Sequence, residues 1–270
     1  MTISFAEVIG DPIAQSKSPA IHGFWLERLG IEREYRAKQV NRTELASYLA
    51  ARRVDPDWLG CNVTMPLKLD ALLLADEPTD VAATAGAANL LFRSEGELVA
   101  ANTDVGAIRK LLSHLVEADR KAPIVVLGNG GAARAVLLAL KSLGATAVTL
   151  QARDMAEATK LAVEFGLGVG PRRFDTAVDS KGLINATPLG MAGIAPSPVD
   201  MSAMPAGGWV LDLVSSPLPT PLLGSAKARG LTVIDGLSVL VEQAAESFEI
   251  LFGQPPPRHL DEALFGILRP

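Results

Sequence analysis

Ile124-Val125-Val126-Leu127-Gly128-Asn129-Gly130-Gly131-Ala132-Ala133-Arg134 is the stretch whose reading decides the fold. Four apolar, mostly β-branched residues predict a buried strand, the glycines a tight turn, and Ala132 to Leu143 a helix. Gly128 suits a strained turn, Gly130 lets the backbone approach a pyrophosphate, and Ala133 is small enough for the helix to pack on the strand. The helix then aims its free N–H groups and the positive end of its dipole at the phosphates. A second strand, Ala147 to Gln151, follows as a βαβ unit requires. The stretch reads as a dinucleotide site, against the plainer alternative of a strand–turn–helix with glycines for packing only.

The chain around it has 270 residues, a formal net charge of −5, three histidines and one cysteine. That is enough for one large domain or two small ones. Without concentrated Lys and Arg, neither nucleic acid nor a membrane surface is an expected partner. Cys61 alone cannot build a disulfide framework or a multi-cysteine metal site, and no metal is expected. Met1-Thr2-Ile3-Ser4 is not a basic segment leading into an apolar one, and no run of about 18 apolar residues occurs. A cytoplasmic protein is expected.

Toward the N-terminus, Phe5 to Gly10 predicts a strand and Asp11-Pro12 a turn. Ser18 is expected to cap a helix with Pro19 at its first position, Ile21, Trp25 and Leu29 as its buried stripe, and Gly30 at its end. Hydroxyls at such a start, here Ser16 and Ser18, also suit a carboxylate ligand. Strands are predicted at Glu34 to Val40 and Leu59 to Thr64, with a helix from Thr43 to Arg52 between them. Asn62, Thr64 and Lys68 crowd a strand's C-terminal end, where open α/β sheets bind ligands; by itself Lys68 also reads as a solvated surface lysine. Cys61 reads as packed. Asn89 to Arg93 and Glu97 to Ala101 form an expected strand pair through Ser94-Glu95-Gly96, and Asn102-Thr103-Asp104 opens a helix from Val105 to Glu117.

On the other side, Arg153 follows the second strand of the nucleotide unit, where an arginine accommodates the 2′-phosphate of NADP and an acid the ribose of NAD. Gly182 to Ala186, Gly208 to Val214 and Leu231 to Ile234 predict further strands. Asp235-Gly236 starts a helix running to about Phe252, in which Gln243 alone reads as an exposed amide. A short helix follows Pro255-Pro256-Pro257.

Gly10-Asp11-Pro12-Ile13-Ala14-Gln15-Ser16-Lys17-Ser18-Pro19, Asn62-Val63-Thr64-Met65-Pro66-Leu67-Lys68, Asn102-Thr103-Asp104, the glycine loop, Asn185-Ala186-Thr187 and Asp235-Gly236-Leu237 stand in the order of the shikimate dehydrogenase family, which the whole chain resembles. The resemblance implies an α/β fold: an N-terminal α/β substrate domain (residues 1–104), a Rossmann-like dinucleotide-binding domain (105–236) and C-terminal helices (237–270) packing back on the first domain. It implies an NADP-dependent oxidoreductase, with NAD the alternative, that interconverts shikimate and 3-dehydroshikimate in aromatic amino-acid biosynthesis by way of chorismate. Quinate, or another cyclic hydroxy acid, is the alternative substrate, and a ligand-binding paralogue with little turnover the rival function. A monomer or homodimer is expected.

Position by position, the resemblance assigns catalysis to Lys68 and Asp104, and the substrate carboxylate to Ser16 and Ser18. It gives the ring hydroxyls to Asn62, Thr64, Asn89 and Gln243. The cofactor falls to Gly128, Asn129, Gly130, Gly131, Ala132, Arg153, Asp154, Thr187, Val214 and Gly236. A lysine, protonated at neutral pH, suits proton donation to a ketone that receives a hydride. The chain departs from the family pattern at Ser215, where a tyrosine is usual, and at Leu90, Ala107, Asn129, Ser238 and Val239. Ala152-Arg153-Asp154 replaces a usual Asn-Arg-Thr, and Glu157 stands at a usually basic position. These departures mark a divergent member.

Overall fold

The computed structural model describes residues 3–174 and 176–269. The chain divides into two compact units, one of Met1–Thr103 with Val241–Pro270, the other of Asp104–Leu240.

The first unit begins with β1 (Phe5–Gly10), every residue of which is buried. α1 (Ser18–Leu29) ends at Gly30, whose left-handed φ of 64° closes the helix. Ser18 is not its cap. Lys17 occupies that position, and the helix has no side-chain cap. Ser16 accounts for the difference: its Oγ accepts the Ser18 N–H at 3.3 Å, so the hydroxyl bond forms two residues earlier in the chain. β2 (Glu34–Gln39) is mostly exposed, as an edge strand with Glu, Arg and Lys should be. α2 (Leu45–Arg53), β3 (Trp58–Val63) and α3 (Lys68–Leu74) follow. The sequence reading did not place β4 (Glu77–Pro78) and α4 (Asp80–Ala85), the latter capped by the Thr79 hydroxyl. β5 (Leu90–Ser94) and β6 (Glu97–Ala101) form the expected antiparallel pair, with positive φ at Glu95 and Gly96. α5 (Thr103–Glu117) leads out of the unit.

The sheet order is β2-β1-β3-β5-β6-β4. β1, β2 and β3 are parallel, while β5 runs antiparallel to both β3 and β6. The C-terminal ends of β1, β3 and β6 and the start of β5 therefore share one edge.

The second unit opens with β7 (Ile124–Leu127), buried throughout, and α6 (Gly131–Ser142). β8 (Val148–Ala152), α7 (Met155–Phe165) and β9 (Arg172–Arg173) follow, then β10 (Gly182–Asn185) and β11 (Trp209–Asp212). α8 (Pro221–Ala228), β12 (Thr232–Ile234) and α9 (Gly236–Phe252) come next, and α10 (Asp261–Leu268) closes the chain within the first unit. α7, α8 and β9 were absent from the sequence reading. All six strands are parallel, in the order β12-β11-β10-β7-β8-β9. Counted from β7, this is the doubly wound order 3-2-1-4-5-6, whose direction reverses between β7 and β10.

In the first unit, α9 lays Phe248 against Trp25 and His22 of α1. His22 also stacks on Tyr35 with centroids 3.9 Å apart and planes 2° from parallel. Its ring is fully buried with neither nitrogen hydrogen-bonded to a described residue, and burial lowers its pKa from 6.5 to about 3. As pH falls below 6.5, an unfolded chain takes up a proton at His22 that the folded chain refuses until about 3. Stability at this residue is thus lost at about 1.4 kcal/mol per pH unit across that window. His22→Phe should flatten the fall of the urea midpoint between its two ends; curves parallel to wild type would refute the assignment.

Candidate active site

The edge shared by β1, β3, β5 and β6 gathers the polar residues of the first unit. The loops after β1 and β3 lie backbone to backbone: Asp11 N–H donates to the Met65 carbonyl at 3.0 Å and Thr64 N–H to the Ile9 carbonyl at 2.9 Å. Gly10 is required there, since a Cβ would stand 2.4 Å from Thr64 Cγ2 and 2.8 Å from the Met65 oxygen. This seats Thr64, and a few residues later Lys68 begins α3, where its carbonyl accepts the Ala88 N–H at 2.8 Å. Ser16, half-buried, and Ser18, buried, stand at the start of α1 after the β1 loop.

Beneath them is a buried network. Tyr35 Oη donates to Asn62 Oδ1 at 2.7 Å, and Asn62 Nδ2 donates to Ser247 Oγ at 2.8 Å. Asn89 Nδ2 donates to Thr103 Oγ1 at 2.9 Å and Gln243 Oε1 at 3.3 Å, while its Oδ1 accepts the Thr103 N–H at 2.8 Å. Thr103 Oγ1 lies 3.1 Å from Ser247 Oγ, which donates to the Gln243 carbonyl at 3.0 Å. Gln243 is 6% exposed, which overturns its reading as a surface amide: α9 turns that face inward. Tyr35, Thr103 and Ser247 were not among the expected site residues. The spacing of Gln243 and Ser247, one helical turn apart, was the available signal for the latter.

The structure thus joins Asn62, Asn89 and Gln243 through one network and sets Thr64, Ser16 and Ser18 along the same edge. Asp104 follows in the first turn of α5, as the first residue of the second unit. Cys61 is fully buried, and burial pushes its thiol well above the ordinary range, so it is packed and unreactive. Among the described residues no group of three or more His, Cys, Asp or Glu could hold a metal ion. No described helix is long and apolar enough to cross a membrane.

In the second unit, Gly128 follows β7 with φ 103°, and a Cβ there would meet Thr187 Cγ2 at 2.9 Å and the Ala186 oxygen at 3.2 Å. The close approach places the β7 turn against the β10 turn, at the point where strand order reverses. Gly130 caps α6 without a side chain, and a Cβ built on it meets nothing within 4 Å. Open space over uncapped first-turn amides fits a pyrophosphate. Gly131 and Ala132 start that helix. Asn129 Nδ2 donates to the Asp154 carbonyl at 3.3 Å. Thr187 is held by Asn185 Oδ1, which accepts its N–H at 3.1 Å and its hydroxyl at 2.6 Å. Asn185 Nδ2 donates to Asp212 Oδ1 at 2.8 Å, and the same carboxylate accepts Val214 N–H at 3.1 Å and Thr220 Oγ1 at 2.6 Å. Burial raises the pKa of Asp212. Gly236 packs with its Cα side against Leu213 and Val214 backbone, which a Cβ would approach to 2.5 Å. Arg153 is exposed at the end of β8, beside a cavity of about 340 Å³ that Ala152, Arg173 and Phe174 also line. Asp154 Oδ1 accepts the Glu157 N–H at 3.1 Å as the cap of α7, and Glu157 pairs with Lys160.

A doubly wound sheet with a glycine turn at its switch point defines a dinucleotide-binding protein, here with a second α/β unit carrying a polar sheet edge. Residues 8–91 match the shikimate dehydrogenase substrate binding domain, and residues 236–263 the shikimate 5′-dehydrogenase C-terminal domain. A relative from Sphingopyxis alaskensis named shikimate dehydrogenase (NADP(+)) is 49% identical over 98% of this chain and 96% of its own length. A solved shikimate 5-dehydrogenase from Thermus thermophilus, in complex with NADP(H) and shikimate, superposes with a TM-score of 0.85 at 37% identity, covering 98% of this chain and 99% of that one. The ligand-free 5-ketofructose reductase of Gluconobacter sp. strain CHM43 has a TM-score of 0.83 at 27% identity over 99% of each chain. The chain belongs to the shikimate dehydrogenase family.

Ser247→Ala removes the shorter of the two bonds that Asn62 Nδ2 donates and leaves it only the Asn89 carbonyl at 3.4 Å. The folded state should lose about 1–3 kcal/mol, the cost of an unsatisfied buried donor, read as a lower urea midpoint. An unchanged midpoint would mean that the network is not structural.

Proposed function

We propose that the chain is an oxidoreductase that interconverts shikimate and 3-dehydroshikimate with NADP. What supports the reading is the buried network of Asn62, Asn89 and Gln243 at one sheet edge, with Thr64 and the Ser16–Ser18 segment following β3 and β1 there, in a chain 49% identical to an enzyme named for that activity. The first unit holds the ring acid, and the second holds the cofactor.

Ser16 and Ser18 bind the substrate carboxylate at the start of α1, where the helix dipole favours an anion. Asn62, Thr64, Asn89 and Gln243 present amides and a hydroxyl to the ring hydroxyls. The buried network fixes the orientation of the three amides, so that one pattern of hydroxyls is matched and others are left unpaired. Lys68 donates a proton to the ketone oxygen during reduction and takes it back during oxidation, with Asp104 as its acidic partner. The bound nicotinamide supplies or accepts the hydride. Gly128, Asn129, Gly130, Gly131 and Ala132 hold the pyrophosphate at the start of α6. Thr187, Val214 and Gly236 line the cofactor beyond the switch point, and Arg153 and Asp154 stand at its adenosine end. The enzyme works in the cytoplasm, as a monomer or homodimer.

The test is appearance of reduced-cofactor absorbance with shikimate, and with quinate as comparison. Shikimate should be the better substrate; no turnover with either would overturn the reading. Lys68→Ala should lower kcat by about 10²–10⁴-fold, the usual contribution of a positioned acid–base group, with a smaller change in KM. Near-normal turnover in a folded Lys68→Ala variant would remove Lys68 from the chemistry.

A further inference from the structure

The adenosine end of the cofactor site carries an electrostatic difficulty. A phosphate monoester near neutral pH bears close to two negative charges. On the β8–α7 side Arg153 stands at the strand's end, with Asp154 and Glu157 close by in the chain and Lys160 of α7 paired with Glu157. A second cation comes from another strand. β9 pairs in parallel with the end of β8, Ala152 opposite Arg173, and these two line the same cavity as Arg153, which lies just beyond the strand's end. Phe174, also on the cavity wall, packs against the hydrophobic cluster of the second unit and so anchors its neighbour. Gln151 Nε2 donates to the Thr176 carbonyl at 3.0 Å, pinning the chain just beyond β9 to β8. No hydrogen bond or ion pair ties the guanidinium of Arg153 or Arg173 to another described residue.

The two described acids next to Arg153 are otherwise engaged. Asp154 turns its carboxylate to the Glu157 N–H, and Glu157 pairs with Lys160. Arg172, next in the strand, is the natural control, because alternate strand residues face opposite ways and it does not line the cavity.

We propose that Arg173 is a specificity-determining residue that holds the 2′-phosphate of NADP together with Arg153, across the paired ends of β8 and β9. The proposal rests on the NADP reading above. Two guanidinium forks converging on one phosphate supply the charge and the donors that α7 lacks. NAD, with a hydroxyl at that position, gains nothing from either.

Adenosine 2′,5′-bisphosphate and adenosine 5′-monophosphate, titrated calorimetrically into wild type, Arg153→Ala, Arg172→Ala, Arg173→Ala, Arg173→Gln and Arg173→Lys, separate the possibilities without turnover. Arg173→Ala and Arg173→Gln should each weaken the bisphosphate about 10–100-fold, the range for losing hydrogen bonds to a charged group, with the monophosphate unchanged. Arg172→Ala should match wild type, and Arg173→Lys should recover part of the loss. If the Arg173 variants keep the wild-type preference while Arg153→Ala loses it, the proposal fails and the NADP reading stands. If wild type does not prefer the bisphosphate, both fail. Equal weakening of both probes would make Arg173 a wall of the cavity only, and also overturns the proposal.

Discussion

The first unit depends on the need of three buried amides for partners. Asn62 and Asn89 sit at the sheet edge with almost no exposure, and each has more donors and acceptors than its own strand can satisfy. The balance comes from Thr103 at the start of α5 and from Gln243 and Ser247 on α9. An unpaired amide in that environment costs a large part of a domain's net stability. From Val241 onward α9 is therefore an integral part of the unit that begins the chain, although Gln243 stands 140 residues beyond Thr103. The apolar contact of Phe248 with Trp25 supplies area for that return, and the amides supply its register.

The same demand that orders the fold prepares the site. Amides locked by one another cannot swing to suit an arbitrary ligand, so the orientation of their polar atoms at this edge is set by the fold. In the second unit the carboxylate of Asp212 does comparable work. Through Asn185 it holds the turn at Thr187, and through its bond to the Val214 N–H it holds the turn after β11. Both turns lie at the C-terminal ends of parallel strands, where the backbone has N–H groups to offer and the switch point leaves room.

The Ile124–Arg134 stretch was legible because its physics is local. A strand buried on both faces needs an apolar run, and a backbone approach as close as that of Gly128 to Thr187 excludes a side chain. The paired strands Leu90–Ser94 and Glu97–Ala101 were legible for a similar reason, with Glu95 and Gly96 taking the positive φ of the turn. Ser18 was misread because capping depends on which of two neighbouring hydroxyls reaches an amide first, a matter of loop path rather than residue type. Gln243 was misread because helix position alone does not say which face is covered.

Composition, periodicity and glycine placement by themselves determined an α/β chain with a dinucleotide turn, and motif order determined which family it resembles. They did so because strand, turn and helix preferences act within a few residues. The pairing of Asn89 with Gln243, the burial of Tyr35, Thr103 and Ser247, and the lining of one cavity by Arg153 and Arg173 were decided only by the tertiary structure. Each joins residues from separate elements, and the side-chain partner of a polar group is set by which strands lie side by side, a choice made by the whole sheet and not by the residues that profit from it.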